Sequence, residues 1–319
     1  MKKPLIILTG PTAVGKTALS IKLAKAVNGE IISADSMQVY KYMDIGSAKI
    51  TKEEMSGVKH YLIDEFHPSE EFNVVKFKEY AMKYMQEIYN AGKIPIIVGG
   101  TGFYIQAVLN DIEFDKNEED TTYRKSLEEL AAKKGNEYLH YMLKEVDLAS
   151  AKAIHPNNVK KVIRALEYYE QTKTPISSHN ETQRHNESPY NFAYFVLTND
   201  RQVLYERIDK RVDSMLELGL VEEVKKLLSL GCKKDMVSMQ GLGYKEIIAY
   251  LEGELSLEEA IYILKRDTRH FAKRQLTWFK REKEVIWIDK KEYKDDDNIV
   301  LDVMMKELIE KGIVNRSHQ

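Results

Sequence analysis

The sequence predicts an α/β fold in which a parallel sheet is flanked by helices. Residues 5–8 form a short, unbroken apolar run, which is typical of a strand buried on both faces. The stretch "GPTAVGKT" follows directly and fits the phosphate-binding pattern G-x-x-x-x-G-K-[ST], between a strand and a helix. Further apolar runs alternate with helical patterns. Together these observations indicate a P-loop NTPase-like core.

Each further element of the core is predicted from a local pattern. Apolar runs predict strands at residues 30–34, 94–98, 191–198 and 284–289. Helical periodicity predicts helices at residues 16–27 and 74–90, and helical structure from 201 to 230 and from 257 to 283. The "GLGYKE" stretch from Gly241 marks a tight turn before another helix.

Residues 113–189 differ from the rest of the chain because they contain helical patterns and no convincing strand. Helices are expected at residues 123–134, 136–145 and 158–172, followed by a polar segment. His179 and His185 are expected in a solvated loop within that segment. We therefore predict an all-helical domain inserted at residues 113–189, between core segments 1–112 and 190–319 of the sheet domain.

Composition narrows the class of protein. The chain has 319 residues, 43% hydrophobic and 31% charged, which is ordinary for a globular protein. The net charge of −2 excludes a global field that attracts nucleic acid, but it allows local basic surfaces. Cys232 is the only cysteine, which favours a reducing, cytoplasmic location. We expect no membrane span, no metal cage of histidines and cysteines, and no obligate protein partner.

The phosphate loop carries the clearest chemistry. Its glycines let backbone N–H groups converge on phosphate oxygens, and the following helix adds its positive N-terminal end. Lys16 is expected to reach a terminal phosphate, and the Thr17 hydroxyl is expected to hold Mg²⁺. The predicted phosphate-binding residues are Gly10, Pro11, Thr12, Ala13, Val14, Gly15, Lys16 and Thr17.

An acid expected in a nucleoside triphosphatase is missing. Such enzymes usually carry a carboxylate at the end of a second strand, but residues 94–98 lead into Gly99, Gly100 and Thr101. The strand at residues 30–34 does end in an acid, Asp35, followed by Ser36. Because ligands bind at the carboxyl ends of parallel strands, all these residues should face one crevice. Asp35 then serves as a metal ligand or proton acceptor, or it simply caps a turn.

Three basic groups have both functional and ordinary explanations. Arg207 and Arg211 lie four residues apart on one helical face, where they either clamp a diphosphate or remain solvated beside Asp209 and Asp213. Residues 264–283 hold eight Lys or Arg against two acids, which suits either a polynucleotide backbone or a solvated helix. The last group is a basic cluster formed by Lys160, Lys161 and Arg164.

Taken together, the motifs resemble those of the tRNA dimethylallyltransferase family, also called tRNA isopentenyltransferases. Eight motifs occur in order over about residues 5–288: "GPTAVGKT", "ISADSMQVYKYMDIGSAK", "HYLID", "IPIIVGGTGFY", "IHPNNVKKVIRALE", "RIDKRVDSML", "GLGYKE" and "RHFAKRQLTWF". Cytokinin-forming transferases of plant type share the first half of this pattern. They make a free nucleotide product and need no basic insertion.

The resemblance implies that a dimethylallyl group passes from dimethylallyl diphosphate to the exocyclic amine of the adenosine 3′-adjacent to the anticodon in tRNA. The phosphate loop would hold the leaving group, with Mg²⁺ as the implied cofactor. Asp35 would accept the proton, and Thr101 and Arg211 would serve the diphosphate. The implied tRNA contacts are Asp35, Ser36, Met37, Gln38, Thr101, Arg124, Lys160, Lys161 and Arg164.

Two other functions remain open from the residues themselves. A small-molecule or nucleotide kinase would use Asp35 as base or metal ligand and the arginines as a lid. A non-enzymatic RNA-binding module would keep the phosphate loop without using it. A kinase consumes ATP and phosphorylates its product, whereas an RNA-binding module binds tRNA and releases no diphosphate.

Overall fold

The computed structural model describes residues 2–114, 122–184 and 186–315. The chain divides into two compact units. The first, which we call the sheet unit, comprises Met1–Leu109 and Pro189–Gln319. The second, which we call the helical unit, comprises Asn110–Ser188. Each unit buries a hydrophobic core of its own.

The sheet unit is built on one six-stranded sheet in which all neighbouring strands are parallel. The strand order is β3-β2-β4-β1-β5-β6. The strands are β1 (Lys3–Thr9), β2 (Gly29–Ala34), β3 (His60–Tyr61), β4 (Ile94–Gly99), β5 (Tyr190–Thr198) and β6 (Val285–Asp289).

The helices begin where side chains satisfy free backbone N–H groups. Asn73 Oδ1 accepts hydrogen bonds from Val75 N and Lys76 N at the start of α3, and Ser256 and Glu259 form a capping box at the start of α13. The α-helices are α1 (Lys16–Ala26), α2 (Lys52–Met55), α3 (Val74–Asn90), α4 (Gly102–Leu109), α5 (Thr122–Lys134), α6 (Asn136–Val146), α7 (Leu148–Ala153), α8 (Val159–Thr172), α9 (Ile176–Arg184), α10 (Arg201–Glu217), α11 (Leu220–Ser229), α12 (Tyr244–Leu251), α13 (Leu257–Phe279) and α14 (Asp297–Glu310).

Strand β1 shows why an uninterrupted apolar run forms a central strand. Leu5 and Ile7 pack into the core on one face of the sheet, and Ile6 and Leu8 pack into the core on the other face. All four side chains are fully buried. Because successive side chains of a strand point to opposite faces, a strand covered by helices on both sides needs apolar residues at every position.

The helical unit contains only helices, α5 to α9, among its described residues. Its core is made by residues from four of its helices, α5 to α8. The buried residues of that core are Leu127, Leu139, Leu143, Ala151, Val162, Ile163, Ala165 and Leu166.

The structure confirms the predicted fold class and corrects several details. The five predicted strands are present to within two residues at each end, but the two-residue β3 was not predicted. The helical run at 201–230 consists of two helices, interrupted at Gly219.

The loop prediction for His179 was wrong, because that residue lies in α9 with its ring 5.2 Å from the Tyr168 ring. His185 lies outside the described residues. No helix in the described part of the chain is both long and apolar enough to cross a membrane.

Candidate active site

The phosphate loop connects β1 to α1 and surrounds the Lys16 ammonium. Lys16 is the first residue of α1, and its Nζ donates hydrogen bonds to the carbonyl oxygens of Gly10 (2.9 Å) and Pro11 (2.8 Å). Gly15, just before the helix, has φ +94°, and a Cβ there would lie 2.9 Å from Lys290 Nζ. A side chain at this position would be strained by the positive φ, and the Lys290 ammonium would have to move to make room for it.

Lys16 lies close to two further charges, one of each sign. Burial and the nearby Arg211 guanidinium lower the pKa of Lys16 to about 7, and the Asp35 carboxylate opposes that shift. A bound anion would add negative charge beside the ammonium and raise its pKa again. The electrostatics of the loop therefore favour an anionic ligand, which would replace the two carbonyl contacts of Lys16.

Asp35 follows β2 and uses one carboxylate oxygen to form a turn. Its Oδ1 accepts hydrogen bonds from Met37 N (2.8 Å) and Gln38 N (3.3 Å). Among the described residues, Oδ2 of this carboxylate accepts no hydrogen bond. The capping function and the proton-acceptor function considered from the sequence are therefore compatible, because they use different oxygens of one side chain.

The segment after Asp35 is fixed by contacts with more distant residues. Gln38 Nε2 donates to the carbonyl oxygens of Ser47 (3.3 Å) and Ala48 (3.2 Å). The loop just before Ser47 is held by the Glu223 carboxylate of α11, which accepts three consecutive backbone N–H groups, from residues 44 to 46, at 2.8–3.0 Å. Glu223 also accepts a hydrogen bond from the Tyr244 hydroxyl. Ser36, Met37 and Gln38 are half-buried, so they are partly accessible to a ligand.

Thr101 lies beside Asp35 because β4 and β2 are adjacent. Gly99 of β4 pairs with Ala34 of β2, and Thr101 N donates to Ala34 O at 3.2 Å. The Thr101 carbonyl then accepts hydrogen bonds from residues 104 and 105 in the first turn of α4. The end of β4 thus offers a hydroxyl and backbone groups, and no carboxylate, as the sequence indicated.

Helix α10 brings one of its two candidate arginines to the phosphate loop. Arg211 Nη1 lies 3.5 Å from Thr12 Oγ1. Arg207 instead pairs with Asp295, with Nη2 3.2 Å from Oδ2. The structure therefore does not bring both arginines to the loop: Arg207 is engaged in an ion pair with a residue that follows β6, and a diphosphate contact by Arg211 stays a prediction.

The acids of α10 pair with the basic side of α13. Asp209 contacts Arg269, with Oδ1 and Nη1 2.5 Å apart, and Asp213 contacts Lys265 at 2.5 Å. Lys265 and Arg269, two of the eight basic residues in the 264–283 segment, are therefore used between helices. Lys273, another of the eight, is exposed.

Sequence reasoning assigned no function to Gln275 or Lys290. Gln275 Oε1 accepts a hydrogen bond from Thr12 N (2.8 Å), and its Nε2 donates to Gly100 O (3.0 Å). Lys290 is buried at the end of β6 and pairs with Asp297, with Nζ 2.8 Å from Oδ1. Gln275 thus supports the phosphate loop from a position 263 residues away in sequence, and Lys290 Nζ lies next to Gly15 of the loop. No local pattern could have indicated them, although Gln275 does belong to a motif of the family resemblance.

In the helical unit, the predicted tRNA contacts occupy two kinds of environment. Lys160 and Lys161 are exposed in the first turn of α8, and Arg164 one turn later is half-buried. Arg124 makes two hydrogen bonds with the buried Glu167 carboxylate, through Nε at 2.9 Å and Nη2 at 3.0 Å. A tRNA contact by Arg124 stays a prediction, and any such contact would share this guanidinium with Glu167.

The described residues contain no group of three or more His, Cys, Asp or Glu side chains suited to hold a metal ion. The predicted magnesium ligand, Thr17, is an exposed residue in the first turn of α1, directly after Lys16. A single hydroxyl suits an ion that takes its other ligands from phosphate oxygens and water, as Mg²⁺ commonly does.

Comparison with known proteins identifies the family. The family model described as IPP transferase matches residues 38–282. The chain belongs to the IPP transferase family. A relative from Lachnoclostridium phytofermentans, named tRNA dimethylallyltransferase, is 67% identical over 98% of this chain and 99% of its own length. A relative of the same name from Acetivibrio thermocellus is 57% identical over 92% of this chain and 94% of its own length.

Solved structures of IPP transferases share the fold. The tRNA isopentenylpyrophosphate transferase of Bacillus halodurans has a TM-score of 0.73, with 45% identity over 98% of both chains. A eukaryotic dimethylallyltransferase acting on tRNA has a TM-score of 0.77, with 30% identity over 90% of this chain and 74% of the other. The matches to the family model and to relatives over nearly their whole length agree with the resemblance found in the motifs.

The low pKa of Lys16 predicts proton uptake when the phosphate loop binds an anion. Above pH 7 the free protein holds Lys16 largely neutral, whereas a bound diphosphate stabilises the ammonium. Affinity for inorganic pyrophosphate should therefore fall as pH rises through about 7, by up to about tenfold per unit. Calorimetry in buffers of different ionisation enthalpy measures both the affinity and the proton uptake.

The matched control for this prediction is Lys16→Arg, whose guanidinium stays charged over the same range. The ionisation of pyrophosphate itself is common to both proteins, so the ratio of their affinities isolates Lys16. A ratio that does not change between one unit below and one unit above pH 7 would contradict titration of Lys16.

Proposed function

We propose that this protein transfers a dimethylallyl group from dimethylallyl diphosphate to the exocyclic amine of the adenosine 3′-adjacent to the anticodon in tRNA, releasing diphosphate. The observation that carries the proposal is the arrangement at the ends of β1, β2 and β4. There a cationic phosphate loop lies close to one carboxylate, Asp35, and the end of β4 offers a hydroxyl in place of a second acid. This arrangement suits a reaction in which diphosphate leaves and no water is activated.

The reaction forms one bond and breaks another at the first carbon of the prenyl group. The adenine nitrogen attacks that carbon, and the bond between the carbon and the diphosphate oxygen breaks. The nitrogen becomes more acidic as the new bond forms, so a nearby carboxylate can take its proton. We assign this task to Asp35 Oδ2, because Oδ1 is used in the turn with Met37 and Gln38.

The leaving group is stabilised by the cations of the loop. Lys16 and Arg211 supply positive charge, and the N-terminal end of α1, which begins at Lys16, adds partial positive charge on the same side of the diphosphate. Thr101 contributes a hydroxyl at the end of β4. Thr17 would hold Mg²⁺ together with diphosphate oxygens, and the ion would supply further charge neutralisation as the diphosphate departs.

The acceptor base must leave its stack to reach this site. An adenine amine within a stacked anticodon loop is inaccessible, so the enzyme flips the base out, as enzymes that modify bases commonly do. The half-buried segment from Asp35 to Gln38 is assigned to the flipped nucleotide. Lys160, Lys161 and Arg164 are assigned to the tRNA backbone, and Arg124 to a further contact.

The position and the exposure of Lys160 and Lys161 support their assignment to tRNA. The two ammonium groups lie in the first turn of α8, where the positive end of the helix disfavours further positive charge. A helix optimised for stability would carry acids at these positions. Exposed lysines at a helix N-terminus instead form a surface that attracts phosphate.

We also propose that the reaction takes place in the cytoplasm.

A kinase function is not favoured, although it shares the phosphate loop. The direct test incubates the protein with labelled dimethylallyl diphosphate and bulk tRNA, followed by nucleoside analysis. We expect a prenylated adenosine, with no product when ATP replaces the prenyl diphosphate. Lys16→Met should lower the rate by at least roughly 10²–10³-fold, because it removes charge from the leaving-group site. Consumption of ATP without prenylated adenosine would instead identify a kinase.

Asp35→Asn should separate the two functions of this side chain, proton acceptance and the hydrogen bonds that form the turn. The amide oxygen still accepts hydrogen bonds from Met37 N and Gln38 N, but the side chain cannot take a proton. We expect the single-turnover rate with saturating tRNA to fall about 10²–10⁴-fold, with tRNA affinity changed only a few-fold. A near-normal rate would show that Asp35 only forms the turn and does not accept the proton. Recovery of the rate at raised Mg²⁺ would make it a metal ligand.

Replacing Lys160 and Lys161 together by alanine should weaken tRNA binding and flatten its salt dependence. Each phosphate contact removed should reduce the slope of log affinity against log salt by about 0.7–0.9. Pyrophosphate binding, measured by calorimetry, should stay unchanged. The matched control replaces Lys133 and Lys134, which are exposed at the end of α5 in the same unit. Equal salt slopes for wild type and the Lys160/Lys161 variant would remove these lysines from the interface.

A further inference from the structure

We propose that Gln275 of α13 is a positioning residue for prenyl transfer, because it sets the distance between the phosphate loop and the loop that ends β4. This inference rests on the proposed function for its reaction, but the contacts themselves do not depend on it. Gln275 touches neither the diphosphate nor the base in our assignment. It acts through the two loops to which it is bonded.

The side-chain amide of Gln275 is buried, at 6% exposure, and both of its polar ends have partners. Oε1 accepts a hydrogen bond from Thr12 N at 2.8 Å, and Nε2 donates to Gly100 O at 3.0 Å. The first partner is a donor and the second is an acceptor, so the orientation of the amide is fixed. Gln275 therefore bridges two loops that follow the neighbouring strands β1 and β4, and it bonds them beyond the last strand pair, Thr9 and Gly99.

Each partner of Gln275 adjoins residues assigned to the reaction. On the phosphate-loop side, Thr12 Oγ1 lies 3.5 Å from Arg211 Nη1. On the β4 side, Gly100 precedes Thr101, whose N–H bonds to the carbonyl oxygen just before Asp35. The amide thus connects the leaving-group side of the site to the proton-acceptor side. A change in its length or bonding would alter the distance between them.

The surroundings of Gln275 admit few other residues. A Cβ on Gly100 would lie 2.1 Å from Gln275 Nε2, so the amide reaches the backbone only because residue 100 lacks a side chain. Methionine has a similar length but cannot bond to either loop. Glutamate can accept from Thr12 N, but when ionised it places a second negative oxygen against Gly100 O. Methionine therefore removes both hydrogen bonds of the side chain, whereas ionised glutamate removes only the bond to Gly100 O.

The helix that carries Gln275 is held in place independently of this contact. Leu264, Ala272 and Phe279 of α13 are buried, and Arg269 pairs with Asp209 of α10. These contacts fix the position of the helix, so the amide is presented to the two loops already oriented. Preorganisation of this kind is what a reaction centre requires of its supporting residues.

The first test is Gln275→Met, which keeps side-chain length and removes both hydrogen bonds. We expect pyrophosphate affinity to fall by roughly 3- to 10-fold, as for the loss of buried hydrogen bonds. The single-turnover rate at saturating substrates should fall by at least about tenfold, while tRNA affinity stays within twofold. The matched control is Gln86→Met on α3, which also loses two hydrogen bonds but at an exposed site.

The second test is Gln275→Glu, which also serves if Gln275→Met does not fold. The ionised carboxylate keeps the hydrogen bond from Thr12 N and repels Gly100 O, whereas the protonated carboxyl can donate a hydrogen bond to Gly100 O. The ratio of the variant rate to the wild-type rate should therefore rise as pH falls towards the carboxyl pKa. A residue that only stabilised the fold would lower the melting temperature without this change in pH profile.

The outcomes distinguish this proposal from the proposed function. If wild type binds pyrophosphate but transfers no prenyl group to tRNA, the reaction assignment fails, and the pyrophosphate measurements still test Gln275. If wild type transfers the group, and folded Gln275→Met matches it in rate and in pyrophosphate affinity, the positioning role is overturned. A ratio for Gln275→Glu that is flat with pH would also overturn it.

Discussion

The register of three parallel strands is the constraint on which the candidate site depends. Gly99 of β4 pairs with Thr9 of β1 on one side and with Ala34 of β2 on the other. The phosphate loop, Asp35 and Thr101 therefore begin at the same level of the sheet, one residue or two beyond these partners. A shift of one residue in either pairing would move a reactive group by about 3.3 Å and turn its side chain to the other face.

Two cations and one carboxylate lie close together at this edge of the sheet, and Arg211 and Asp35 each affect the charge state of Lys16. Lys16 and Arg211 repel each other, and Asp35 reduces that repulsion, while the phosphate loop remains anion-seeking. Three other charged residues of α10 are paired elsewhere: Arg207 with Asp295, Asp209 with Arg269 and Asp213 with Lys265. Arg211 instead lies next to the phosphate loop, with its Nη1 3.5 Å from Thr12 Oγ1.

Much of the sheet and the phosphate loop could be predicted from the sequence, because their signals are local. An apolar run that is buried on both faces is visible in four or five residues, as in β1. Strand β3 could not be predicted, since two residues carry no period, and the polar helix α9 lacks the apolar pattern that marks a helix. Arg207 and Arg211 share a spacing that suits either a clamp or a solvated face, and only tertiary contacts distinguish them.

The supporting residues of the site could not be predicted for a different reason. Gln275 is 263 positions from Thr12, and Glu223 is 177 to 179 positions from the backbone groups it binds. Such contacts depend on where whole helices pack, and a single sequence holds no local record of them. The motif containing Gln275 was evident in the family resemblance, but its residues carry no signature that separates a buried bridge from a packing position.

A phosphate loop can serve transfer of carbon because its chemistry concerns the departing oxygen and not the atom attacked. In hydrolysis the loop must be joined by a group that activates water, and a second strand-end acid commonly contributes to that arrangement. When the nucleophile is a substrate amine, the protein needs only a nearby acceptor for its proton. In the reaction we propose, Oδ2 of Asp35 serves that purpose while Oδ1 shapes the adjacent turn. One carboxylate can then position the acceptor segment and receive the proton, so the glycine-rich end of β4 is left for close approach of the loops.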